Sequence, residues 1–424
     1  MKRAFLLTVL LTLLVGVSVH AQDVPTLTYW DTMGDRERVV MQEIIDECEV
    51  TVGVDVTYEY VPFTEAQANF RTAAQAGNAP DIMRSEIAWG PEYAALGYLV
   101  DLTDMVTEEE RASYLEAPLA YNTWGGRLWG LPQVTDAPAL LYNRDLFEQA
   151  GLDPDAPPTT MEELRAAAEA ISALGTDDAP VYGIATLADM YFFQPFMWAF
   201  GGDLITVNED GTYTIGINTQ GTYDALAYIQ GLIEDGLMGP DYDPANQYGN
   251  SMTAFQEGRA GMIINGPWAT ADILGGTAFE DPENLGVAPI PAGPEGLQGS
   301  PVGGHEYVIY AGSANPEAAL ELIRCLNSVE NQVRLASELN LVPTVRAAYE
   351  DPALAENAIL QGFLAQMEVA RNRPVLVAGG SIYTEFGPQY QAVILGERTP
   401  EEAMAAVEAA WQLLLETEPP VPGS

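Results

Sequence analysis

The sequence predicts an α/β protein. Short runs rich in β-branched and aromatic residues alternate with amphipathic stretches of helical period along the chain. Helix starts carry capping signals. Thr107-Glu108-Glu109-Glu110 and Thr159-Thr160-Met161-Glu162 fit a capping box, in which a Thr oxygen and a Glu carboxylate satisfy free backbone N–H groups. Asn315-Pro316-Glu317 and Thr399-Pro400-Glu401-Glu402 place proline at the first helical position. The length of 424 residues, at about 150 per domain, indicates two or three domains. That is enough chain for more than one sizeable core, and a hydrophobic share of 48% is an ordinary globular profile.

In order, Leu27–Trp30 reads as a strand and Arg38–Glu47 as a helix. Val54–Val61 alternates like a strand, Glu65–Ala76 is helical, and Asp81–Met83 is a short strand. Tyr93–Gly97 closes a short helix. Arg127–Pro132 and Leu141–Phe147 read as a strand, a crossing segment that carries Asp136, a second strand and a helix. Asn208-Glu209-Asp210-Gly211, between Ile205 and Tyr213–Ile217, is a hairpin turn. Ala260–Ile264 is a buried strand ended by Asn265-Gly266-Pro267. Pro352–Glu416 reads as almost wholly helical.

The N-terminus reads as a secretory signal peptide. Lys2 and Arg3 precede an apolar run from Ala4 to Val19, and Val19 and Ala21 are the small residues before a cut after Ala21. The run is shorter than the ~20 residues of a spanning helix. The mature chain would start at Gln22, with no lipoprotein cysteine, and would be secreted, periplasmic or held in the cell envelope. Losing Lys2 and Arg3 moves the formal charge from −44 to −46. Cys48 and Cys325 remain, either as one disulfide or as two buried thiols.

The scarcities exclude several chemistries. Lys2 is the only lysine, so lysine-linked pyridoxal chemistry and the GxxxxGK[ST] phosphate loop are out. His20 and His305 are the only histidines, so a His-rich zinc site is out. With 61 acids against 17 bases, partnership with nucleic acid or anionic lipid is not expected. The acids are spread along the whole chain. This reads as a solvated coat rather than a cationic-ligand cleft, and stability is expected to rise with salt.

Three stretches carry a family resemblance: Ala79-Pro80-Asp81-Ile82, Leu141-Tyr142-Asn143-Arg144-Asp145-Leu146 and Ile264-Asn265-Gly266-Pro267-Trp268. In this order, behind a signal peptide, they resemble the extracellular solute-binding proteins of ABC importers. The resemblance is to the carbohydrate class that includes the maltodextrin-binding proteins. It implies a two-lobed periplasmic-binding-protein fold of type II kind, with a ligand cleft between lobes joined by hinge crossings. The first lobe would take residues 22–133 and 303–345, the second 134–302 and 346–424. Both cysteines then fall in the first lobe, so a Cys48–Cys325 disulfide becomes conceivable. The expected partners are a small carbohydrate and the membrane permease, the protein is expected to be a monomer, and no cofactor is implied.

A pyranose has one apolar face and a rim of hydroxyls, so aromatic rings and carboxylates suit it. By the resemblance, Asp136 matches an acidic sugar contact beside the hinge. Tyr191 and Asp189 match an aromatic and an acidic contact. Trp268 matches the stacking tryptophan after the Asn-Gly-Pro turn. Tyr383 and Phe386 lie near a further stacking position whose tryptophan is absent, which points to a mono- or disaccharide. Glu86 and Trp89 fall in a first-lobe cleft loop, and Asp31 and Asp35 follow the first strand. A tryptophan such as Trp268 also serves in a core. Tyr191-Phe192-Phe193 with Trp198 and Phe200 reads mostly as core, with one or two rings free to face a cleft. His305 reads as a structural residue, although Gly303-Gly304 before it would permit close backbone approach in a cleft.

The main reading is therefore a binding protein that hands a sugar to an importer, and not an enzyme. A polar non-sugar ligand is the alternative: a polyol, a polyamine, or a glycerol phosphate ester held by Arg36, Arg84, Arg371 or Arg373. A secreted two-carboxylate glycosidase stands third.

Overall fold

The structure is a computed structural model that describes residues 24–185, 189–208, 210–239 and 246–419. The signal-peptide reading therefore lies outside the described residues. In chain order the strands are β1 (Thr26–Asp31), β2 (Asp55–Tyr60), β3 (Ile82–Glu86), β4 (Thr123–Trp124), β5 (Arg127–Leu128), β6 (Gly130–Asp136) and β7 (Ala139–Asn143). They continue with β8 (Tyr182–Ala185), β9 (Ile205–Val207), β10 (Tyr213–Ile215), β11 (Ala260–Asn265), β12 (Leu285–Ala288), β13 (Gly303–Ile309) and β14 (Val342–Pro343).

One six-stranded sheet has the order β14-β6-β13-β3-β1-β2. Its β1, β2 and β3 run parallel, and β13 lies antiparallel between β3 and β6. A four-stranded sheet has the order β12-β7-β11-β8. Its strands β7 and β11 are buried along their whole length and read as near-continuous apolar runs, as strands covered on both faces do.

On one face of the first sheet, Tyr29, Tyr307 and Ile309 pack on Ile44, Cys48 and Ile323 from the helices Asp35–Val52 and Pro316–Leu326. A disulfide joins those helices through Cys48 and Cys325, with Cα atoms 5.8 Å apart. On the other face, Met83 and Val308 meet Phe70 and Tyr93. The larger core around the second sheet is closed by Trp198 and Trp411, both buried.

The sequence motifs have structural causes. Asp81 accepts hydrogen bonds from Thr28 N and Oγ1, both at 2.8 Å, and from Ser313 Oγ at 2.5 Å, tying β1 to the turn after β13. Asn143 caps the helix Arg144–Gln149 by accepting from Leu146 N at 3.0 Å. The capping box before the helix Met161–Ser172 uses Thr160 and Glu163, one residue later than the sequence pattern suggests.

The expected helical run from Pro352 to Glu416 is interrupted. Residues 368–378 are irregular between the helices Ala358–Met367 and Gly379–Ile394. Pro374 explains the break, since it has no N–H and keeps Arg373 out of the helical region. This segment lies beside the crossings between the two sheets. Arg371 N donates to Ser300 O at 2.8 Å, Val302 N to Arg371 O at 3.0 Å, and Ser300 Oγ to Pro138 O at 2.6 Å.

Candidate ligand-binding site

The carboxyl end of β6 delivers Asp136 to the floor between the sheets. Tyr191, in the first turn of the helix Met190–Ala199, donates from its hydroxyl to Asp136 Oδ1 at 2.7 Å. Gly303 permits this contact, because a Cβ there would overlap the Tyr191 hydroxyl and the Asp136 carboxylate. Gly304 follows at φ +137°, where any Cβ would strike Val134 O. Burial pushes Asp136 up to about 6, against the Tyr191 hydrogen bond and the Arg373 charge.

Tyr191 belongs to a wall of five rings on the second-sheet side. Its ring lies 6.1 Å from Trp268 and 6.4 Å from Tyr383. Phe192 lies 6.4 Å from Trp268 and 6.3 Å from Tyr248. Trp268 Nε1 donates to the Tyr248 hydroxyl at 3.0 Å, fixing that pair of rings. Tyr383 donates to Gln194 Oε1 at 2.9 Å.

Arg373 holds the base of this wall. Its guanidinium lies 5.4 Å from the Tyr191 ring centre and 5.6 Å from that of Tyr383. The same guanidinium pairs with Glu86 at the end of β3, and its Nε donates to Val302 O at 2.8 Å. Arg373 N donates to the Tyr121 hydroxyl at 2.6 Å. Burial alone would lower the Arg373 pKa, but Glu86 and the surrounding tyrosines hold it well above its ordinary value.

The first-sheet side offers polar groups. Arg84 Nε donates to Gln133 Oε1 at 2.5 Å, and Arg84 Nη1 to Thr32 Oγ1 at 2.6 Å. Two groups near it lack partners. Both ring nitrogens of His305 are buried without a hydrogen bond, as is Glu37 Oε1. Burial, then the Arg84 and Arg373 charges, hold His305 well below its ordinary value, so it is a neutral imidazole. Aromatic faces on one side and carboxyl, guanidinium and imidazole groups on the other form the constellation that a polyhydroxylated ring needs.

The sequence model for bacterial extracellular solute-binding proteins matches residues 35–333. The chain belongs to that family.

Among relatives of this solute-binding protein, the galactooligosaccharide-binding protein of Bacillus subtilis is 27% identical over 365 residues, 83% of this chain and 81% of that one. The GacH receptor of Streptomyces glaucescens, solved unliganded and with acarbose, is 34% identical. It superposes at a TM-score of 0.85 over 93% of this chain and 99% of its own. A Thermotoga lettingae solute-binding protein bound with α-D-tagatose is 27% identical, at a TM-score of 0.82 over 92% and 100% of the two chains. The fold is thus the two-lobed α/β architecture expected from the sequence.

Of the residues singled out by sequence, Asp136, Tyr191, Trp268, Tyr383 and Glu86 meet in this cleft. Asp189 is at its rim, capping the helix Met190–Ala199 by accepting from Tyr191 N at 2.8 Å. Four others are placed differently. Phe386 is buried in the second-lobe core, stacked 5.4 Å from both Phe193 and Tyr390. Asp31 is buried and already partnered. It accepts from Tyr29 Oη and Met33 N at 2.9 Å, and lies 3.7 Å from Arg84. Trp89 is buried against Phe63, 5.1 Å ring to ring, within the first-lobe core. Asp35 is exposed at φ +44°, at the first residue of its helix.

Sequence reasoning missed Tyr248 and Glu37 and left Arg373 unplaced. Tyr248 sits in no aromatic run, and Arg373 lies in a stretch that reads as helix. The proline after Arg373 was the available signal.

Proposed function

We propose that this protein captures an oligosaccharide between its two lobes by hinge closure and presents it to the permease of an ABC importer. The single observation that carries the reading is the five-ring wall facing Glu86, Asp136 and His305. Stacked rings bury the apolar faces of successive sugar units, and the opposite side supplies hydrogen bonds to their rims. Several rings in a row support an oligosaccharide over the mono- or disaccharide suggested by the missing tryptophan. The galactooligosaccharide-binding and acarbose-binding relatives support the same ligand class.

In this reading the lobes are residues 22–133 with 303–345, and 134–302 with 346–424. Each contains one of the two large sheets, with β6 running across the boundary. The chain is exported, cut after Ala21, and acts as a monomer outside the membrane. Among the described residues no helix is long and apolar enough to cross one. The protein binds its ligand without transforming it. The arginines do not favour a phosphate ester, because Arg84 and Arg373 are each already set against an acid.

Thermal melting of the mature protein against maltooligosaccharides, galactooligosaccharides, tagatose, polyols, phosphate esters and spermidine tests the reading. A ligand at a hundred times its Kd adds about 2.7 kcal/mol to the folded state. The expected result is a shift with an oligosaccharide. A shift with spermidine or a phosphate ester alone would replace this reading.

A further inference from the structure

We propose that Glu37 selects the ligand by charge, and that the preferred ligand is an oligosaccharide carrying a basic nitrogen. The inference rests on the sugar-binding reading and deepens it. Glu37 is the third residue of the helix Asp35–Val52, and its Oε1 is buried without a hydrogen-bond partner. The charged groups that face it come from both lobes and the crossing between them. They are Arg84 of β3, Asp31 of β1, Asp272 of the helix Thr270–Ile273 and Asp136 of β6. Tyr248, of the aromatic wall, also faces it.

Arg84 is the only cation in that set, and it is committed. It lies beside Asp31 and donates to Gln133 and Thr32. The other buried arginine of the cleft, Arg373, is paired with Glu86. Asp272 has the charge and backbone N–H of Arg36, and Asp136 has the Tyr191 hydroxyl. Glu37, a half-buried residue, is left with one buried carboxyl oxygen as an open acceptor and no cation of its own. Burial accordingly pushes it up to about 8, so it is mostly protonated at neutral pH.

A basic nitrogen on a sugar stacked against Tyr248 and Trp268 would supply the missing charge. The resulting ammonium–carboxylate hydrogen bond is stronger than the one a neutral hydroxyl makes. The proton balance is definite. A ligand that enters as an ammonium displaces the Glu37 proton to solvent. One that enters as a free amine takes that proton from the carboxyl oxygen onto nitrogen, and none is released.

The test compares two four-ring sugars by titration calorimetry at pH 7: maltotetraose, which is neutral, and acarbose, which carries one secondary amine. Wild-type protein should bind acarbose about tenfold more tightly. Glu37→Gln should bring the two affinities within about threefold of each other. If Glu37→Gln does not melt cooperatively, Glu37→Asp replaces it. That variant keeps the carboxyl group but withdraws it by one methylene, and the same collapse is expected. Equal wild-type affinities, or a preference that survives in the variant, would overturn the role of Glu37 and leave the sugar reading intact. Failure of the wild type to bind either sugar would remove both.

Discussion

The two sides of the cleft are built from different chemistry. The second-lobe side is aromatic: Tyr191, Phe192, Tyr248, Trp268 and Tyr383 contact one another through rings. The first-lobe side is polar, with Glu37, Arg84, Glu86 and His305 at the helix start and strand ends that face those rings. Neither side can satisfy a sugar alone. The rings cover its apolar face but leave hydroxyls unanswered, and the polar side has little area to stack on. A site divided in this way couples binding to closure, because both halves of the interaction form only when the lobes meet.

The contact that joins the two sides is the buried Arg373–Glu86 pair. Arg373→Ala should cause the largest loss, about 3–5 kcal/mol of stability, because it strands the Glu86 charge. Glu86→Gln with Arg373→Met should recover part of that loss in the same denaturation measurement. A single variant no worse than the double would show that the sides are not joined here. The disulfide sharpens the contrast between lobes, since Cys48 and Cys325 staple only the first. Replacing both by serine should cost about 2–5 kcal/mol and expose first-lobe amides to hydrogen exchange before second-lobe ones.

Glu306 gives a smaller effect with a definite pH sign. It is buried in the first lobe without partners, and Asn122 Oδ1 also lacks one. A Cβ on Gly130 would lie 2.9 Å from that Asn122 oxygen and 3.1 Å from Glu306 Oε2. Burial, then the nearby Glu86 charge, hold the Glu306 pKa well above its ordinary value. The folded state therefore keeps a proton that the unfolded chain releases near pH 4.3. The stability this gives is fully present below that pH and is lost as pH rises through the folded-state value, at about 1.4 kcal/mol per unit. Glu306→Gln should remove that slope in urea denaturation between pH 5 and 8. An unchanged slope would mean that Glu306 is not its source.

The smallest effect is expected from the overall charge, 61 acids against 17 bases in the whole sequence. Added NaCl should raise the melting temperature modestly by screening that repulsion. A steady fall would contradict the acidic-coat reading.

Much of the framework was legible in the sequence because it rests on local signals. The helix starts marked at Thr159-Thr160 and Thr399 and the buried run of β11 depend on neighbours in sequence. The cleft was legible only where a local motif aimed a side chain, as the Asn265-Gly266-Pro267 turn aims Trp268. It was misread where long-range partners decide. Asp31 follows a strand as a cleft acid would, but Arg84 from β3 and the Tyr58 hydroxyl from β2 claim it. Phe386 shares a stripe at four-residue spacing with Ile382 and Tyr390 that packs into the core. That stripe leaves the neighbouring face, with Tyr383, toward the cleft. Glu37 carried no local signal, since the charged groups that act on it, Arg84, Asp31, Asp272 and Asp136, are all distant in sequence or on other elements.

The most direct test of a ligand held between a ring wall and a polar wall is the affinity of Trp268→Ala. It would be measured by titration calorimetry with the sugar that gives the largest melting shift. Loss of one stacking face should weaken binding by about 30- to 100-fold, roughly 2–3 kcal/mol, with the melting temperature of the empty protein nearly unchanged. Wild-type affinity in that variant would contradict the account and make Trp268 a packing residue.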